Sequence, residues 1–327
     1  MSNYSVFGSH QSLFTRKLVA ALNFYNIAHE FMTKRGSGLE SMIEERSGTH
    51  QIPILGTPEN WMLADTTAIF AVLDARFTRR RMFPLGVGGL LVHLIEEVFD
   101  EWISRVMVHY RWHYPDSAAY ASDQMCGGDP GIADILLTWG PKACRATGTE
   151  LPIHQLAAEK EYQGLLAAME KQLQSTKFLL GNKPTAVDCA ALGGLHAHIL
   201  NDPDPAKMVR SYPRVVSWAE QHTNNPVDIE SAETAGVEVT SFAVHVLQNI
   251  APAYSDFVLA NKEALEKKNK SFKIHTCGNE ASYLTRPYPE LSRQMVVSRI
   301  SHQLDREAQR TSESLLRQYD LHECFLP

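Results

Sequence analysis

Gln51-Ile52-Pro53-Ile54-Leu55, followed by the turn Thr57-Pro58-Glu59-Asn60 and then Trp61-Met62-Leu63-Ala64, reads as two short strands joined by a tight connection. Pro53 sets a condition on that reading. A proline has no amide hydrogen for a sheet ladder, so within a strand it belongs at an edge, at a bulge or after a cis bond. Upstream, Tyr4 to Phe7 is an apolar strand, Gly8-Ser9 breaks it, and Phe14 to Phe24 carries Leu18, Ala21 and Leu22 at helical spacing. Ile27 to Met32 reads as a second strand and Leu39 to Glu45 as a short helix. Downstream, Thr66 to Phe77 closes the unit with another helix. The order is strand, helix, strand, and then strand, strand, helix.

From Pro84 the pattern changes. Leu90, Leu91, Leu94, Ile95, Val98, Trp102, Val106 and Tyr110 recur at three-and-four spacing, which predicts a helix of many turns ending at Tyr114-Pro115-Asp116. A polar, glycine-rich loop is expected over Gln124 to Gly131, with further helices over 131–147, 152–174, 185–200 and 212–223. The start at 185 has its own signal, because Thr185 and Asp188 are spaced to cap the opening turn reciprocally. Asn224-Asn225-Pro226-Val227 reads as a boundary. Beyond it come a helix over 237–266, an alternating stretch Ser271 to Thr276, a proline-rich turn at Arg286-Pro287-Tyr288-Pro289 and a last helix to Tyr319.

The chain has 327 residues, enough for roughly two domains, and its 44% hydrophobic and 21% charged content excludes wholesale disorder. A net charge of -6 argues against a nucleic-acid partner, and Arg79-Arg80-Arg81 is too short a basic run to offset it. The five cysteines are scattered, without CxxC or metal-like spacing, and read as reduced thiols. With no leader pattern and no long apolar run, the expected location is cytoplasmic, without a membrane span.

Three separated motifs resemble the glutathione transferase superfamily: Ser12-Leu13-Phe14-Thr15-Arg16-Lys17 after a strand, Gln51 to Leu55, and Ala64-Asp65-Thr66-Thr67-Ala68-Ile69 at a helix start. A fourth, Phe178 to Gly181 followed by Pro184 to Asp188, falls where that family has its capping box. Together they cover about residues 1–225, and the likeness is nearest to bacterial glutathione-transferase-like proteins with an added C-terminal segment. The resemblance implies an α/β plus all-α fold: a thioredoxin-like glutathione-binding domain over 1–78, an all-helical substrate and dimer domain over 84–225, and a mostly helical extension of unassigned role over 226–327. It further implies a cis bond at Pro53, glutathione as cosubstrate, a small-molecule electrophile as the second substrate, and a homodimer.

Within that resemblance, Ser12 is the catalytic candidate. An unperturbed thiol titrates near about 8.5, so a glutathione site must stabilise the thiolate, and a hydroxyl at a helix N-terminus does so. As a plain helix cap Ser12 would look the same. Ile52 and Pro53 are expected to meet the cysteinyl backbone of glutathione, Asp65 and Thr66 its γ-glutamyl end, and Gln51 and His50 its glycyl carboxylate. The alternative for Asp65 and Thr66 is an N-cap pair without ligand. No cysteine precedes Cys126, so thiol exchange through the N-terminal domain is disfavoured.

Several other residues carry weaker expectations. His10, two residues before Ser12, is a candidate loop base or substrate contact, with a solvated loop histidine the weightier reading. His93, Glu96, Glu97 and Asp100, with Glu101, His109 and His113 beyond, sit at ligand-like spacing, but no matching pair occurs on another helix and no metal is expected. Trp102, Tyr110, Trp112 and Tyr114 read as core or subunit interface. Arg105, His109 and Arg111 are secondary pocket candidates; for Arg145, His196 and His198 a pocket-facing role is the lesser alternative to capping or solvation. The leading function is glutathione-dependent attack on an electrophile, and the alternative is a non-catalytic binding or scaffold protein of the same fold.

Overall fold

The computed structural model describes residues 3–223 and 236–326, so the boundary expected at Asn224 to Val227 lies outside the described residues. β1 (Tyr4–Gly8) pairs in parallel with β2 (His29–Thr33) and antiparallel with β3 (Ile54–Gly56), which pairs antiparallel with β4 (Met62–Ala64). The sheet order is β2-β1-β3-β4. α1 (Leu13–Tyr25) is the crossover that parallel pairing of β1 and β2 requires. The pleat divides the apolar residues between two faces. Val6 and its partner Leu55 join the main core with α1 and α3 (Thr66–Arg76), whereas Phe7, Ile54 and Met62 enclose Ile43 of α2 (Glu40–Ser47).

Two strand expectations shorten. Ile27 belongs to the end of α1, because its amide reaches back to the Leu22 carbonyl at 2.9 Å around left-handed Asn26, and β2 starts only at His29. The ladder of β3 begins after the cis Ile52–Pro53 bond, so Gln51, Ile52 and Pro53 are not strand residues.

The long helix is one rod with a wider turn. α4 (Gly86–Glu97) continues through a π segment, Val98–Ile103, into α5 (Ser104–His113). α6 (Pro115–Met125) takes up the start of the expected polar loop, and the helix expected over 131–147 is two: α7 (Pro130–Leu137) and α8 (Gly140–Ala146). α9 (Pro152–Gln172) follows. α10 (Ala186–Gly194) opens with the predicted capping box of Thr185 and Asp188 and passes into a π segment, Leu195–Ile199. α11 (Pro203–Val209) and α12 (Pro213–Gln221) complete this region.

The extension is less helical than expected. α13 (Ser241–Asn249) and α14 (Ala251–Glu266) are separate helices broken at Ile250 before Pro252. β5 (Ser271–Thr276) is the alternating stretch, and it pairs with an unforeseen strand, β6 (Asn279–Leu284). Cys277 and Gly278 form the two-residue turn, both at positive φ (51° and 78°), the geometry that matches the twist of a hairpin. α15 (Pro287–Ser298), a π segment Arg299–Gln303, α16 (Arg306–Gln318) and α17 (His322–Phe325) end the chain. Leu22, Ile95, Leu192, Phe242, Tyr254 and Phe325 belong to one hydrophobic cluster, so all three parts of the sequence share a core. Among the described residues, no helix is long and apolar enough to cross a membrane.

Candidate functional site

A cavity of about 670 Å³ is lined by Gln51, Ile52, Pro53, Asp65 and Thr66, all of them sequence candidates. The sheet explains how they meet. β3 and β4 lie side by side, so the residues just before β3 and just after β4 arrive at the same end of the sheet. Because the β3 ladder covers only Ile54 to Gly56, the backbone of Ile52 is outside the sheet pairing. Asp65 is the N-cap of α3 at φ 68°, a conformation sparsely populated by residues with a side chain. Its Oδ1 accepts from the amides of Thr67 (3.0 Å) and Ala68 (3.4 Å), and its Oδ2 and the Thr66 hydroxyl have no protein partner among the described residues. The opening turn of α3 thus combines unpaired donors, an acidic oxygen and the positive end of a helix dipole.

One wall of the cavity is charged. Asp100 and Glu101 of the π segment line it, and behind them Lys17 is fully buried, ion-paired to Glu96 and to Asp100. Thr67 Oγ1 donates to Glu96 at 3.0 Å, tying α3 into the same network. Burial pushes the Asp100 carboxyl well above the usual range, against the pull of Lys17. Glu97 is pushed up by burial and then by Glu96, and neither of its oxygens has a hydrogen-bond partner. Glu101 is also raised by burial, with Arg286 opposing.

The extension closes the cavity from the other side. Arg286, Tyr288 and Ser292 line it, and Arg286 reaches Glu101 at 2.8 Å. Asn261 fixes the backbone there, accepting from the Arg286 amide and donating to its carbonyl, each at 2.9 Å. Asp100, Glu101, Arg286, Tyr288 and Ser292 were not among the sequence candidates for this cleft. Their only traces were the charged spacing of the long helix and the proline-rich turn.

Ser12 is the N-cap of α1, with its Oγ accepting from the Thr15 amide at 3.3 Å. It does not line the cavity, although Phe14 does. The loop before it is held by Arg111, whose Nη1 donates to the Gln11 carbonyl at 2.7 Å. Arg111 is buried and also forks onto Asp202, so it is a brace between elements and not a pocket group.

The remaining candidates separate from this site. His10 stacks on Phe31 with ring centroids 4.1 Å apart, and His50 is exposed, its carbonyl accepting from Lys34 at 2.7 Å. His109 pairs with Glu159 at 2.7 Å, and Arg145 pairs with Glu150 at the surface. His196 and His198 are buried and not solvated, His196 bonding the Ala219 carbonyl at 2.8 Å. Trp102 and Tyr110 are core residues.

Among the described residues, His93, Glu96 and Glu97 bring ligand atoms within 4.8 Å of one another. The donor set does not fit a cation. Arg299 Nε donates to His93 Nδ1 at 3.3 Å, which leaves the ring hydrogen on Nε2, 3.5 Å from Glu97, and Lys17 already holds one oxygen of Glu96.

Residues 162–222 match the family model described as glutathione S-transferase, C-terminal domain. That match bears out the resemblance to the glutathione transferase superfamily, and the chain carries the expected fold: a thioredoxin-like sheet, a glutathione-transferase helical region and an additional C-terminal segment. A search of curated proteins found no match. Among solved structures, a glutathione S-transferase from Pseudomonas fluorescens is 19% identical, covering 70% of this chain and 100% of its own, with a TM-score of 0.40. Glutathione transferase F7 from Populus trichocarpa is 18% identical over 68% of this chain and 94% of its own, with a TM-score of 0.42. Beta-etherase LigF from Sphingobium sp. is 12% identical over 69% and 96%, with a TM-score of 0.46.

Proposed function

We propose that the cleft binds glutathione and that the chain is an enzyme presenting the glutathione thiolate, held at Ser12, to a small electrophile. The observation that carries this reading is the convergence of Ile52, Pro53, Asp65 and Thr66 on one cavity. An extended peptide pairs with the free backbone of Ile52, the start of α3 takes its γ-glutamyl carboxylate, and the carboxylate of Asp65 takes the ammonium. Gln51 meets the glycyl end. Ser12 supplies a hydroxyl at the N-terminus of α1, where hydrogen bonding and the helix dipole both favour an anion. Its capping bond to Thr15 uses an acceptor lone pair and leaves the hydroxyl hydrogen for a thiolate. The chemistry then needs little beyond anion stabilisation and proximity.

Calorimetric titration with glutathione tests the binding. Micromolar to millimolar affinity that disappears in Asp65→Ala is the expected result, and absence of heat at millimolar ligand removes the reading. Ser12→Ala is expected to raise the pKa of the bound thiol, followed as thiolate absorbance against pH. An unchanged titration reduces Ser12 to a cap.

A second reading, a non-catalytic binding protein, draws on the extension, which walls the cleft with Arg286 and Tyr288. Glutathione binding without turnover of any electrophile in a panel of halides, epoxides and aryl ethers decides for it.

A further inference from the structure

A second cavity, of about 500 Å³, lies where the extension packs on the helical region, and none of its lining residues is shared with the cleft. Its size is that of a small-molecule site. The walls are aromatic and apolar: Trp102, Tyr283, Ile250 and Ala157. Tyr283 occupies its place because residue 148 is glycine; at φ 75°, a Cβ there would lie 2.2 Å from the phenol ring.

The polar groups are unbalanced. Arg105 is 9% exposed, stacks 4.0 Å over Trp102, and sets its Nη2 3.0 Å from Glu161; the guanidinium also neighbours the Tyr283 hydroxyl, while its buried Nη1 has no hydrogen-bond partner of good geometry among the described residues. Lys160, exposed at the rim, has no ion-pair or hydrogen-bond partner among the described residues. Among the described residues Glu161 is the only carboxylate of the lining; its Oε2 accepts from Trp102 Nε1 at 3.1 Å, and its Oε1 is ion-paired with Arg105 but accepts no hydrogen bond. Two cations against one carboxylate leave the cavity positive. A buried guanidinium nitrogen without a partner is costly, and a ligand carboxylate that reaches it forms a charge-assisted bond.

We propose that this cavity binds a small planar aromatic carboxylate, its ring on the Trp102 and Tyr283 wall and its carboxylate between Arg105 and Lys160. The site depends on the extension, because Tyr283, Ile250 and His245 all come from it. It is independent of the glutathione reading and stands or falls separately.

The test is calorimetry on the full chain with 2-naphthoate and its neutral counterpart 2-naphthamide, each titrated without and with saturating glutathione. One naphthoate per chain is expected, bound about tenfold or more tightly than the amide, as a charged hydrogen bond implies. Lys160→Ala is expected to lose much of that preference, and Ala157→Trp, which fills the cavity, to abolish binding of both. Arg105→Met strips Glu161 of its cation, so the matched variant is Arg105→Met with Glu161→Gln, which is expected to bind acid and amide alike. No naphthoate binding at millimolar concentration overturns the proposal. So does equal affinity for acid and amide in the unmodified chain, or binding that survives Ala157→Trp. Displacement by glutathione likewise overturns it, since it puts the ligand in the first cleft.

Discussion

Arg111 donates to the Gln11 carbonyl across 2.7 Å, so a side chain of α5 holds the backbone of the residue next to Ser12. The same guanidinium forks onto Asp202 at 2.9 and 3.1 Å and reaches the Ala197 carbonyl at 2.6 Å. Arg111→Met leaves Asp202 buried without its cation, and the expected loss is about 3–5 kcal/mol. Urea unfolding measures it. Adding Asp202→Asn is expected to restore part of the loss, and strict additivity of the two changes would show that the pair is not coupled.

Arg286→Ala tests the bridge that closes the cleft. Glu101 stays buried and loses the cation that opposes the upward shift of its carboxyl, so its folded pKa rises further. A carboxyl whose pKa is raised by folding contributes stability that is lost as pH rises through the folded value. The variant is therefore expected to lose about 1–3 kcal/mol, with the larger deficit at pH 8 and the smaller at pH 5. Unfolding curves at the two pH values read the difference.

His93 predicts the opposite pH response. Burial, and then the charges of Arg299 and Lys17, push its pKa down to about 3 from an ordinary 6.5. The unfolded chain takes up a proton over that window and the folded chain does not, so stability present above 6.5 is lost as pH falls. The slope from this group is about 1.4 kcal/mol per pH unit. His93→Gln is expected to flatten the measured dependence between pH 4 and 6 by about one proton. An unaltered slope would assign the acid sensitivity elsewhere.

Gly148→Ala is expected to cost about 2 kcal/mol or more, because the new methyl meets the Tyr283 ring at a left-handed backbone position. Thermal unfolding measures it. Gly36→Ala, also at positive φ but with open space around it, isolates the backbone part of the penalty and is expected to cost less.

The sequence made local features legible and distant ones opaque. The cis bond at Pro53, the helix spacing in Leu18 to Leu22 and the pair Thr185 and Asp188 are each decided within a few residues and stand in the structure as read, although the strand read across Pro53 begins only at Ile54. β6 was missed because its turn begins with Cys277, where Asn or Asp before Gly278 would have signalled a hairpin. The acids of the long helix looked like metal ligands because the cation that pairs with them, Lys17, lies 79 positions from Glu96 and 83 from Asp100. Arg286 read as part of a turn, since nothing near it in sequence points to Glu101, 185 positions away. The acidic side of the cleft could be seen only after folding.

The shared core bears on how the chain melts. Phe257 of α14 packs against Trp102 of the long rod with centroids 5.8 Å apart and against Tyr283 at 5.2 Å. Among the described residues the added segment and the helices it covers belong to one hydrophobic cluster, so heat is expected to melt them together. A calorimetric scan should show one cooperative peak for both. Removing residues 236–326 would bare Phe99 and Trp102 to water and leave a sticky, aggregating remnant.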